Sequence, residues 1–130
     1  METSSAKCSD DLQVSLVTGV VVELLGTLCC GLSGLLILDS ASLSCRPRLA
    51  SGLDSLVGVM LVLAGFDLTG GYYSPALALG LKAGCGEAGL TSHLAVYWLG
   101  PCLGALAVQP LYTAGTLYLT TISSKANKLD

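Results

Sequence analysis

Three apolar runs, each about long enough to cross a lipid bilayer, constrain this 130-residue chain more than any other feature. They extend from about Val14 to Leu38, from Leu49 to Phe66 and from Leu94 to Leu119. A hydrocarbon core about 30 Å thick takes roughly 20 helical residues. Hydrophobic residues make up 52% of the chain and charged residues only 12%. That charged share is about half the ~25% usual for soluble domains. A water-soluble core of this size could not hide so much apolar surface. The expected fold is an all-α membrane protein, with residues 1–13 and 120–130 as tails around a membrane region at 14–119.

The remaining composition excludes several function classes. A formal net charge of -3 without a basic patch argues against nucleic acid as a partner. The six cysteines contain no C-x-x-C pair, and Cys29, Cys30 and Cys102 lie inside apolar runs, where a thiol behaves as a small hydrophobe. The first run follows Asp10 and Asp11, an acidic lead-in unlike that of a signal peptide, and it reads as a membrane span. One histidine, no phosphate-binding glycine loop of the required form and no paired carboxylates with suitable neighbours leave no enzyme constellation and no expected cofactor or metal.

Between the second and third spans lies a shorter piece. Ser74 suits a helix N-cap and Pro75 the first helical turn. The stretch from Pro75 to Ala83 would be about 13 Å long as a helix, less than half of a membrane, before Gly84 and Gly86 stop it. Length alone favours a surface helix, whereas a re-entrant half-helix would put its free amides at membrane depth beside water. Composition does not separate the two. Arg46, Arg48, Lys125 and Lys128 fall on one side of the spans, and Lys7 and Lys82 on the other. The modest bias favours a cytoplasmic Arg46 loop and C-terminus.

Glu23 stands within the first span. An ionisable group there costs at least about 2.5 kcal/mol on insertion scales and needs partners. Gly100 and Gly104 form a small-xxx-small face suited to close helix packing.

The stretch Asp67-Leu68-Thr69-Gly70-Gly71-Tyr72-Tyr73-Ser74-Pro75-Ala76 resembles the Asp-x-Thr-Gly-x-x-x-Asn-Pro-Ala segment of the aquaporin family, with Ser74 in the place of Asn. Val96-Tyr97-Trp98-Leu99-Gly100-Pro101, followed by Gly104-Ala105, resembles the start of that family's sixth helix. Glu23 followed by Thr27 is similar to the Glu-x-x-x-Thr pattern of its fourth helix. Taken together, in this order and ungapped spacing, the motifs resemble the C-terminal half of an aquaporin from about Val14 to Tyr118. The degenerate box, leucine after Ala76 where orthodox members carry arginine, and Cys85 nine residues past Ala76 resemble the unorthodox, or superaquaporin, branch. His93 sits slightly farther from the Tyr-Trp pair than the histidine of orthodox channels, so that residue's role does not carry over to it.

The resemblance implies one aquaporin repeat: three transmembrane helices and a re-entrant half-helix at 75–83. It implies a pore box of Ser74, Pro75 and Ala76, whose helix end orients water and disfavours cations. Ser74 also reads more simply as a good helix start. The three filter positions would be Val62, Gly71 and Leu77, with packing an equal reading for Val62. None is charged or aromatic, which implies a wider, less polar filter that passes glycerol-like neutral solutes or hydrogen peroxide as well as water. Glu23 and Thr27 would support the loop. Cys85 would be a structural cysteine, as a lumenal thiol or a disulfide partner for Cys8.

An aquaporin pore needs two repeats, and one is present, so the chain is not expected to conduct alone. Its implied partners are the lipid bilayer, water and small neutral solutes, and a complementary N-terminal half or a full-length aquaporin in a homo- or hetero-oligomer. A structural or regulatory subunit of full-length channels is the competing reading, and a self-assembled pore with chains in opposite orientations is a third. The resemblance favours the endoplasmic reticulum or another intracellular membrane, with the plasma membrane as the alternative.

Overall fold

A computed structural model describes residues 11–82 and 89–126. Three long apolar helices dominate it. α1 runs over Leu16–Asp39, and Ser15 caps it by accepting a hydrogen bond from the Thr18 amide at 3.3 Å. A single turn, α2 (Ala41–Ser44), leads to α3 (Pro47–Thr69), which begins at a proline whose missing N–H removes one unpaired donor from the helix start. Gly70, in the left-handed conformation at φ 88°, closes α3 and returns its amide to the Phe66 carbonyl. The short α4 (Pro75–Lys82) follows, then α5 (Gly89–Leu94), a π-helical turn at Ala95–Leu99, and α6 (Gly100–Ala126).

The third span is therefore longer than the sequence indicates: a continuous helical stretch of 36 residues from Leu90 to Lys125. The π turn ends at Leu99, two residues before Pro101. Proline has no N–H for the carbonyl four residues before it, here that of Tyr97, and a wider turn is one way a helix absorbs the break. Pro110 lies inside α6 without interrupting it. α4 has eight residues, about 12 Å of helix, and cannot span the bilayer. It packs against the π turn, where Ala78, Val96 and Tyr97 form a small buried cluster.

α1 is the central element, touching both α3 and α6. Its buried residues, Gly19, Glu23 and Gly26, recur at helical spacing and form one narrow face. Val17, Leu36, Leu63 and Leu106 are among many large apolar side chains left exposed. A water-soluble protein could not tolerate this, whereas lipid solvates it. The described chain is thus an all-α, multi-pass membrane protein with three spanning helices and a short helix between the second and third.

Glycine makes the close α1–α6 approach feasible. A Cβ on Gly104 would lie 2.4 Å from the Leu24 carbonyl oxygen and 3.0 Å from Thr27 Cβ, and one on Gly100 would lie 2.9 Å from the Val20 carbonyl oxygen. Both obstructions are backbone and cannot swing aside. Replacing Gly104 by valine should therefore destabilise the fold by about 1–3 kcal/mol, typical of overpacking. Gly115→Val, where a Cβ meets nothing within 4 Å, should leave the melting temperature in detergent nearly unchanged.

Candidate functional site: a loop fastened to a buried carboxylate

The turn from Thr69 to Ser74 satisfies only part of its backbone locally, the Gly70 amide at the Phe66 carbonyl and the Gly71 amide at the Thr69 hydroxyl, and three of its residues have positive φ. Gly70 is at 88°, Gly71 at 63° and Tyr73 at 47°. For tyrosine this conformation is unfavourable by roughly 1–2 kcal/mol, so the surroundings must hold it. They do so chiefly through Glu23, whose side chain is fully buried.

The Glu23 carboxylate accepts three hydrogen bonds. Thr69 donates its hydroxyl to Oε1 at 2.6 Å, and the Tyr72 amide reaches the same oxygen at 3.3 Å. The Tyr73 amide donates to Oε2 at 2.7 Å. Thr27, one turn along α1, has its hydroxyl within reach of two carbonyls, that of Glu23 at 2.8 Å and that of Tyr73 at 3.1 Å. Glu23 and Thr27 thus hold the N–H and the C=O of the same loop residue. Gly100 and Gly104 bring α6 against this part of α1, with Glu23 Cβ and Thr27 Cβ among their nearest neighbours.

Aromatic side chains complete the fastening. Tyr73 donates its hydroxyl to the Leu61 carbonyl at 2.7 Å. Its ring fills a slot between α1 and α3 that only glycines leave open: a Cβ on Gly26 would lie 2.0 Å from the ring, and one on Gly65 2.1 Å from the hydroxyl oxygen. Tyr97 donates to the Thr69 carbonyl at 2.8 Å, tying the π turn to the end of α3. Tyr72 meets Tyr97 edge-on at 5.4 Å, and its hydroxyl bonds to Asp11, which also pairs with Lys82 at 2.9 Å. Burial pushes the Asp11 carboxyl up, but the Tyr72 and Lys82 hydrogen bonds and the Lys82 charge outweigh it, and its pKa is lowered.

The structure brings some candidate residues together and leaves others apart. Glu23, Thr27 and Gly71 belong to one assembly. Gly71 lies against Val62, since a Cβ on it would be 2.7 Å from the Val62 carbonyl oxygen. Ser74 begins α4, its carbonyl accepting from the Ala78 amide at 3.1 Å. Ala76 and Leu77, on the first turn of α4, are exposed, as is Val62 on α3. Cys85 and Cys8 lie outside the described residues, as does the end of the 75–83 segment. Among the described residues no group of three or more His, Cys, Asp or Glu side chains could hold a metal.

Sequence reasoning missed Thr69, Tyr73, Tyr97 and Asp11 as partners in this fastening. Tyr73 had a legible signal: a bulky residue inside a loop flanked by Gly70-Gly71 and Ser74-Pro75, facing spans with unexplained glycines at Gly26 and Gly65.

No family model matches the chain, and no solved structure matches it. It is 36% identical to aquaporin-11 of Equus caballus over 112 residues, which cover 84% of this chain and 38% of that protein. Against aquaporin-11 of Homo sapiens the identity is 35% over 111 residues, again 84% and 38% of the two chains. The probable aquaporin SIP2-1 of Arabidopsis thaliana is 43% identical over 54 residues, 42% of this chain and 23% of that one. The matched region is thus well under half the length of these relatives.

Two results should follow from the geometry. Glu23→Ala strands a hydroxyl and two amides, each unsatisfied group costing about 1–3 kcal/mol. Hydrogen exchange at Tyr72 and Tyr73 should then accelerate sharply, with Glu23→Gln intermediate because one acceptor oxygen remains. A carboxyl with a lowered folded pKa contributes stability above its unfolded pKa and loses it as pH falls through the folded value. The Asp11 clasp should therefore persist at neutral pH and release only in acid below the ordinary carboxylate range. Exchange at the start of α1 against pH measures this, and Asp11→Asn should abolish the acid step.

Proposed function

We propose that this chain, which belongs to the aquaporin family and resembles its superaquaporin branch, supplies the C-terminal half of a pore for water and small neutral solutes. The observation that carries the reading is the fastening of the Thr69–Ser74 turn to Glu23. A buried carboxylate within a span is expensive unless paired, and here its partners fix the start of a helix too short to cross.

In this reading the α4 start, at Ser74, Pro75 and Ala76, faces the water path. Its unpaired amides and the positive end of the helix repel cations and orient water. The Ser74 hydroxyl is a donor with a shorter reach than an amide side chain. Val62, Gly71 and Leu77 form this chain's share of the narrow filter. They bring no fixed cation and no ring, so the opening is wider and less polar, and glycerol and hydrogen peroxide pass with water. The exposure of Val62, Ala76 and Leu77 supports a second wall provided by another polypeptide or repeat. The chain is a channel component with no catalytic role, and an intracellular membrane such as the endoplasmic reticulum is its place of work.

A second reading has the same face dock onto a full-length channel as a regulatory subunit. The exposure of Val62, Ala76 and Leu77 serves this reading as well.

Proteoliposome swelling separates these outcomes. The chain alone should give no flux above lipid, and reconstitution with a complementary N-terminal half should restore both water and glycerol permeability. Water flux without glycerol would overturn the solute assignment. No flux with a co-purifying half would overturn the half-pore reading.

A further inference from the structure

We propose that the half-open pocket between α1, α2 and α3 binds a small organic ammonium ion, with Asp54 as its counter-ion. The pocket has a volume of about 290 Å³ and lies at the end of the bundle where α1 leaves the membrane and α3 enters it. Small-molecule sites begin near this size, about 300 Å³. Ile37, Leu43 and Ala50 give it apolar walls, and Ser44, Ser51 and Asp54 give it polar groups.

Asp54 is the decisive residue. It stands seven residues into α3, about 10 Å from the helix start, within an apolar span. An acidic side chain at such a place normally has a partner or faces a water-filled cavity. Glu23 shows the first solution. Asp54 shows the second: it is exposed, as are Ser44 and Ser51, its side chain makes no hydrogen bond or ion pair among the described residues, and it lines the open pocket. Arg46 and Arg48, the cations nearest in sequence, lie exposed at the start of α3 and do not pair with it.

The lining selects the class of ligand. A divalent metal wants six or more oxygen ligands in the case of calcium, or near-octahedral oxygen geometry in that of magnesium. One carboxylate and two serine hydroxyls between aliphatic walls do not offer that. An anion would meet the carboxylate with like charge. A compact ammonium ion with an aliphatic body uses every feature: charge against Asp54, N–H donors for the serine hydroxyls, and methyl groups against Ile37 and Leu43. A soluble amine and the ethanolamine headgroup of a lipid share this chemistry. The proposal does not depend on the half-pore reading, since it concerns binding and not flux.

The test uses the full chain in phosphatidylcholine nanodiscs. Calorimetry would titrate tert-butylammonium, with tert-butanol as the neutral control of nearly the same shape. Saturable binding of the ammonium, at least tenfold tighter than the alcohol, is expected. Asp54→Asn should remove that preference. Gly34→Val should weaken binding with the carboxylate retained. A Cβ at Gly34 makes only ordinary contact with the Asp54 carboxylate at 3.5 Å, so added bulk there occupies the cavity without forcing the backbone apart. If a lipid headgroup is the occupant, replacing half the lipid by phosphatidylethanolamine should lower the apparent affinity several-fold. An unchanged affinity identifies a soluble amine. Equal binding of ammonium and alcohol, or ammonium binding unaltered in both variants, would overturn the proposal.

Discussion

The carboxylate of Glu23 is the constraint on which the rest of the structure depends. A charge buried within a span is destabilising on its own, and a backbone turn with unpaired amides inside a membrane is destabilising on its own. Each supplies what the other lacks. The Thr69 hydroxyl and the amides of Tyr72 and Tyr73 neutralise the cost of burying Glu23. Glu23 in turn allows the chain to stop being helical between α3 and α4 without leaving polar groups stranded.

Once that exchange is made, much of the surrounding packing follows. The turn passes through three left-handed residues, and the non-glycine among them, Tyr73, needs support from its surroundings. The support is steric as well as polar: its ring occupies the slot at Gly26 and Gly65, and its hydroxyl meets the Leu61 carbonyl. Gly100 and Gly104 let α6 close over the same part of α1. The π turn ahead of Pro101 buries Val96 and Tyr97 beside α4, where Tyr97 reaches the Thr69 carbonyl. The geometry of one turn thus reaches all three spans.

The three spans and the short helix were legible because lipid imposes a simple rule: long apolar runs cross and short ones do not. Glu23 was legible for the converse reason, as an exception to that rule. Asp54 was less legible, because it stands within two turns of Arg48 and reads with Arg46 and Arg48 as the polar end of its run. The aromatic partners were hidden for a different reason. Tyr72, Tyr73 and Tyr97 are amphipathic, and which end of such a side chain matters depends on contacts made across 12 to 61 residues of sequence. Helical periodicity carries no information about those. The π turn was equally hidden, since Pro101 announces a missing hydrogen bond but not how the helix accommodates it.

A helix stub fastened in this way has meaning for permeation only if its opening residues lie deep in the bilayer and touch water. A nitroxide attached at Ala76→Cys, in a chain whose native cysteines are replaced by alanine, reports both depth and water access by electron paramagnetic resonance. The account predicts a label within the hydrocarbon core that is nonetheless accessible to a water-soluble relaxant when the complementary half is present. A label at headgroup depth would contradict it.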